Sequence, residues 1–90
     1  MNDALLKHFG VTVRRLREAR NWSQEQLAEH ANLNRSYVGE IERGQVAASI
    51  VTIEKLADAF GLTGSSLLEQ FERIHASQPV KGIQLTSIAC

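Results

Sequence analysis

Apolar residues Leu5, Phe9, Val13 and Leu16 recur at steps of four, four and three, the period of one helix face, and predict a helix from Asp3 to about Arg20. Gly10 weakens its middle. Lys7, Arg14, Arg15, Glu18 and Arg20 occupy the other side, so this helix is amphipathic and strongly basic in its second half. Ser23 followed by Gln26 forms a capping box, in which each side chain bonds the backbone amide of the other residue; Trp22 and Leu27 bracket it as a hydrophobic staple. A second helix therefore runs from Gln24 to about Ala31, with Leu27, Ala28 and Ala31 inward, and Asn32 suits the left-handed residue that ends it. Asn34 is the next N-cap, with Leu33 and Val38 as its staple. The third helix then spans Arg35 to Arg43, turning Val38 and Ile41 inward and ending before Gly44.

Ser49 caps a fourth helix in which Ile50, Ile53, Leu56, Ala57 and Phe60 keep helical spacing until Gly61 stops it, the pattern of an ordinary core helix. Trp22, Phe9 and Phe60 are expected in the core as well. Thr63 opens a fifth helix whose stripe, Leu67, Leu68, Phe71 and Ile74, continues to about Ser77. The expected architecture is all-α: a five-helix domain over residues 1–78 and a tail over residues 79–90. Pro79 breaks the helical pattern, and Ile83-Gln84-Leu85-Thr86 alternates weakly, so the tail reads as mobile or as a short pairing strand. A domain of short helices covers only part of the fifth stripe. Leu67, Leu68, Phe71 and Ile74 are therefore expected at a partner surface, most simply with a second copy of the chain, unless they merely complete the core.

The unit from Gln24 to Gly44 carries the functional signal. A two-turn helix, a turn of about three residues and a second short capped helix have the spacing of a helix-turn-helix, in which the second helix enters the DNA major groove. Gln24, at the start of the first of these helices, is placed to hold a phosphate through its amide and side chain. Arg35 and Ser36, in the first turn of the next, would be aimed at base edges, where arginine pairs with guanine O6 and N7.

The run Leu16-Arg17-Glu18-Ala19-Arg20-Asn21-Trp22-Ser23-Gln24-Glu25-Gln26-Leu27-Ala28-Glu29, followed by Leu33-Asn34-Arg35-Ser36-Tyr37-Val38-Gly39-Glu40-Ile41-Glu42-Arg43-Gly44, resembles the lambda-repressor-like (XRE) helix-turn-helix family. Leu-Arg before the turn, Ser-Gln-x-x-Leu-Ala and Ile-Glu-x-Gly are its specific motifs, and the likeness covers roughly residues 8–70. The stretch Asn34 to Gly39 and the compact length are most similar to the controller proteins of restriction–modification systems. The resemblance implies a DNA-binding regulator. It places Gln24 on a phosphate and Asn34, Arg35, Ser36 and Glu40 among operator contacts, and puts Tyr37 against the backbone or a thymine methyl. It also implies a partly buried ion pair, Arg17 with Glu42, joining the first helix to the end of the third. Arg43 and Arg14 or Arg15 would add phosphate contacts. Two departures stand out. Ala48 replaces a frequent proline, which implies a looser loop after Gly44. Glu40 replaces a frequently neutral residue; it would repel phosphate, and either accepts from cytosine N4 or orients Arg35 or Arg43.

Composition narrows the picture further. The 90 residues carry ten Lys plus Arg against ten Asp plus Glu, so no global field draws in nucleic acid or anionic lipid. Four of the ten basic residues nevertheless fall between Arg14 and Arg20, and Arg35 and Arg43 mark the two ends of the third helix. Anion binding must come from such local arrangement. Neutrality also favours a rival from another class, a protein-interaction module such as an antitoxin or adaptor whose partner covers the fifth helix and the tail. The lone cysteine, Cys90, cannot form a disulfide within the chain, and the three histidines lack metal-ligand spacing, so no metal or cofactor is expected. No apolar stretch reaches a membrane span and the first residues lack a signal peptide's pattern, which points to the cytoplasm. No clustered nucleophile and base, and no Gly-rich phosphate loop, suggests an enzyme, and no segment suggests a small-molecule sensor. Double-stranded DNA, bound by a homodimer at a palindromic operator, is the expected partner.

Overall fold

In a computed structural model, the backbone of residues 3–76 and the side chains of residues 3–73 are described. The expected tail, residues 79–90, and the side chain of Ile74 lie outside them. Five helices follow one another: α1 (Asp3–Glu18), α2 (Gln24–Ala31), α3 (Arg35–Glu42), α4 (Ile50–Ala59) and α5 (Gly64–Ala76). No strand occurs among the described residues, and the architecture is all-α.

Local signals account for most helix ends. Ser23 Oγ accepts from the Gln26 amide at 3.1 Å while Gln26 Oε1 accepts from the Ser23 amide at 2.8 Å, a complete capping box for α2. Asn34 and Ser49 cap α3 and α4 in the same sense, and Thr63 Oγ1 accepts from the Ser66 amide at the start of α5. Asn32 takes the left-handed conformation, φ 56°, that closes α2. The first helix stops at Glu18 rather than Arg20. Asn21 adopts φ 58°, and the Trp22 amide turns back to the Arg17 carbonyl, so the last residues form a closing turn.

The core lies where α1 packs on α3 and α5, α2 on α3 and α4, and α4 on α5. Val13, Leu27, Val38, Ile41, Leu56 and Leu67 are fully buried there. Truncating any of these large aliphatics to alanine would cost about 2–5 kcal/mol. Thr12 is also buried, its hydroxyl satisfied by the His8 carbonyl one turn back at 3.0 Å. Gly10 sits at the tightest contact between α1 and α3: a Cβ there would fall 2.5 Å from the carbonyl oxygens of both Ile41 and Glu42. The residue that weakens α1 locally is the one that lets α3 close upon it.

Three expectations about packing are corrected. Ile50 is 82% exposed and outside the core, because in the first turn of α4 it faces a surface groove beside Ile53, Glu54 and Leu68. Phe9 and Trp22 are half-buried at the core's edge; Phe9 meets Phe71 edge-on at 5.8 Å, and Trp22 stacks with His30 at 4.1 Å and lies nearly parallel to Phe60 at 6.1 Å. Leu67 is wholly buried and cannot lie on a dimer surface, since it faces inward while its neighbour Leu68 is left 45% exposed.

Candidate nucleic-acid interface

Helices α2 and α3 are joined by the three-residue turn Asn32 to Asn34, and their relative pose is set by a polar clamp behind them. Arg17 on α1 forks onto Glu42 at the end of α3, Nε to Oε2 at 2.7 Å and Nη2 to Oε1 at 3.0 Å. Its remaining Nη1 donates to the Trp22 carbonyl at 2.8 Å, and Gln24 on α2 donates through Nε2 to Glu42 Oε1 at 3.0 Å. One carboxylate thus ties α1, α2 and α3 together. The Arg17 and Glu42 side chains are only 12% and 4% exposed. The Glu42 hydrogen bond raises the Arg17 pKa further, against the lowering effect of burial, with the charges of Glu42 and Glu18 adding to the rise. Such a buried, doubly bonded pair fixes geometry more than it adds net stability.

The face presented by α3 is polar and open. Arg35 and Ser36 are exposed in its first turn, and the Arg35 guanidinium has no hydrogen-bond or ion-pair partner among the described residues. Beside them Gln24, Arg35, Ser36, Gly39, Glu40 and Arg43 line a shallow notch of about 300 Å3. Arg43 donates through Nε to Gln45 Oε1 at 3.1 Å. Among the described residues Glu40 forms an ion pair with neither Arg35 nor Arg43, and its carboxylate borders the notch.

Other expected contacts are redistributed. Asn34 is exposed, and its Oδ1 accepts from the Ser36 amide at 2.8 Å, capping α3. Tyr37 is half-buried against the core, and its hydroxyl meets Thr52 Oγ1 at 3.2 Å, within a chain that continues to Ser49 Oγ at 3.0 Å. That hydrogen bond ties Tyr37 on α3 to the start of α4. Arg14 is paired with Glu18 at 2.9 Å on the surface, whereas Arg15 is exposed with no such partner among the described residues.

Residues 8–70 match the family model described as a helix-turn-helix domain. The chain belongs to the lambda-repressor-like (XRE) helix-turn-helix family of DNA-binding regulators. Among solved structures, this helix-turn-helix chain is similar to the restriction–modification controller protein C.AhdI from Aeromonas hydrophila, with a TM-score of 0.68 at 48% identity, over 71% of this chain and 97% of that one. Among curated proteins it is 42% identical over 62 residues to the control protein C.BamHI of Bacillus amyloliquefaciens, covering 68% of this chain and 76% of the relative. It is also 38% identical over 69 residues to the immunity repressor of Bacillus phage phi105, covering 77% of this chain but only 48% of that repressor, so it spans about half of that relative's length.

Two features of the helix-turn-helix site escape sequence reasoning. Arg20 belongs to no solvated basic face: its Nη1 donates to the Leu16 carbonyl at 2.8 Å and its Nη2 to the Phe60 carbonyl at 2.6 Å, with the guanidinium 4.8 Å above the Phe60 ring. It therefore neutralises the carbonyl end of α4. The Tyr37, Thr52 and Ser49 hydroxyls form the second feature, tying α3 to the start of α4. No periodic signal relates residues 15 or 40 positions apart.

Proposed function

We propose that this protein is a sequence-specific transcriptional regulator that binds palindromic operators as a homodimer in the cytoplasm, and that it controls a restriction–modification system. The observation that carries the reading is the unpartnered, exposed Arg35 with Ser36 at the start of α3, a helix held rigidly by the Arg17, Glu42 and Gln24 clamp. Arginine there reads guanine in the major groove, Ser36 and Glu40 contribute to the choice of neighbouring bases, and Gln24, Arg43 and Arg15 hold phosphates. The controller role is supported by the likeness to C.AhdI and C.BamHI.

The dimer face is assigned to the apolar side formed by α1, α4 and α5. Leu5, Phe9, Ala48, Ile53, Leu68 and Phe71 line a groove of about 160 Å3 there, and exposed Ile50 lines the adjoining one with Ile53 and Leu68. Selection of bound sequences from a random DNA pool tests the whole proposal. Two inverted half-sites about one helical turn, roughly 34 Å, apart are expected. Retention of DNA with no enriched sequence would refute it and leave the interaction-module reading in its place.

A further inference from the structure

Glu40 puts a carboxylate beside the notch on α3, where DNA phosphates would repel it. Its side chain is half-buried there, yet it makes no hydrogen bond or ion pair with any described residue, although Arg35 and Arg43 border the same notch. Glu42, two residues on, behaves differently: its carboxylate accepts from Arg17 and Gln24 and is only 4% exposed. One acid of α3 therefore holds the fold together, and packing assigns no such task to the other.

Position on the helix fixes what Glu40 can meet. Ser36 and Glu40 are four residues apart and share one side of α3. Arg35 precedes Glu40 by five residues, roughly 7.5 Å along the helix axis, and base pairs stack about 3.4 Å apart. With α3 in the major groove, Glu40 falls opposite a base pair about two steps from the one that Arg35 reads. The base edges there receive a carboxylate unequally. Guanine shows N7 and O6 and thymine shows O4, all acceptors, whereas the N6 donor of adenine has the N7 acceptor beside it. Cytosine alone offers its N4 donor without an acceptor of its own. A carboxylate can only accept, so cytosine satisfies it and the other bases leave it desolvated and repelled.

We infer that Glu40 is a specificity-determining residue that demands cytosine at one position of each half-site, and that it acts chiefly by rejecting the other bases. The inference rests on the reading of α3 as the DNA-recognition helix and adds the base that is selected and the means of selection. The charge of Glu40 weakens binding to DNA in general, and the cytosine amine offsets that loss at the operator alone.

The test compares wild type, Glu40→Gln and Glu40→Ala on DNA selected from a random pool, on single-base variants of the wild-type site and on unselected DNA, with thermal unfolding of each protein. Arg35→Ala, run in parallel, marks the base pair that Arg35 reads. Wild type should lose about 5- to 150-fold in affinity when the cytosine is changed. Both Glu40 variants should be nearly indifferent to that change, keep the other preferences, and bind unselected DNA up to about 5-fold more tightly, the scale of one partly exposed charge. Their unfolding should stay near wild type, since no bond within the protein is lost. A cytosine preference undiminished in both variants would overturn the inference. So would relaxation confined to the base pair marked by Arg35→Ala, which would make Glu40 a residue that orients Arg35, or equal tightening on every sequence, which would leave only its charge. Each of these leaves the proposed function standing, whereas a wild type that selects no DNA defeats both.

Discussion

Glu42→Ala removes the acceptor of three hydrogen bonds at once: two from Arg17, at 2.7 and 3.0 Å, and one from Gln24, at 3.0 Å. It strands a guanidinium that is 12% exposed opposite no charge. Removing one partner of a buried pair costs about 3–5 kcal/mol, because the other charge stays desolvated. The surface pair of Arg14 with Glu18, whose side chains are 63% and 52% exposed, provides the internal contrast, since exposed pairs are worth about 0–1 kcal/mol. A chain of this size has roughly 5–13 kcal/mol in all, and about 4–8 °C accompanies each kcal/mol, so the midpoint should fall by at least about 12 °C. Thermal and urea unfolding of Glu42→Ala beside Glu18→Ala measures the difference. The raised Arg17 pKa means that its contribution is present below the unfolded value and lost only above the folded one. That rise disappears with Glu42, but a guanidinium stays protonated throughout the neutral and mildly alkaline range, so raising the pH there should not relieve the stranded charge. Equal, small losses in the two variants would refute the reasoning, because the clamp would then be worth no more than a surface pair.

Arg35→Ala should cost about 1–3 kcal/mol on the selected operator and relax preference at one base pair of each half-site, as read by competition among single-base variants of the site; uniform weakening on every sequence would remove Arg35 from the readers. Leu68→Glu changes a residue that is already 45% exposed, so the fold should survive while sedimentation shows a shift to monomer and operator affinity drops; an unchanged association state would exclude this part of α5 from the dimer face. Gly10→Ala improves helix propensity yet places a methyl 2.5 Å from two carbonyl oxygens, and should lower stability by about 1–3 kcal/mol in urea unfolding; a more stable variant would show that α1 and α3 separate freely.

Helix positions were legible because their signals are local. Ser23 with Gln26, Asn34, Ser49 and Thr63 each act within one turn, and each caps the helix that its spacing indicates. The fifth stripe was less legible, since hydrophobic periodicity marks which residues share a face but not where that face leaves the core: Leu67 is buried and Leu68 is half in solvent. At Asn34 the capping half of the expectation is visible, its oxygen held by the Ser36 amide.

The chain's order of caps, apolar steps and turns sufficed to specify five helices, a helix-turn-helix between Gln24 and Gly44, and Arg35 and Ser36 at the entrance of its second helix. Which charges remain free for DNA was decided only by packing. Of the four arginines between residues 14 and 20, Arg14 is paired locally with Glu18, Arg17 is consumed by Glu42 25 residues away and Arg20 by Phe60 40 residues away, leaving Arg15 without a partner among the described residues. Capping and periodicity reach about four residues along the chain, whereas an ion pair depends on where two helices meet. The same distinction explains Gly10 and Gly39: in sequence both are weak points in a helix, but one lies under a neighbouring backbone and the other beneath two side chains that flank an open notch.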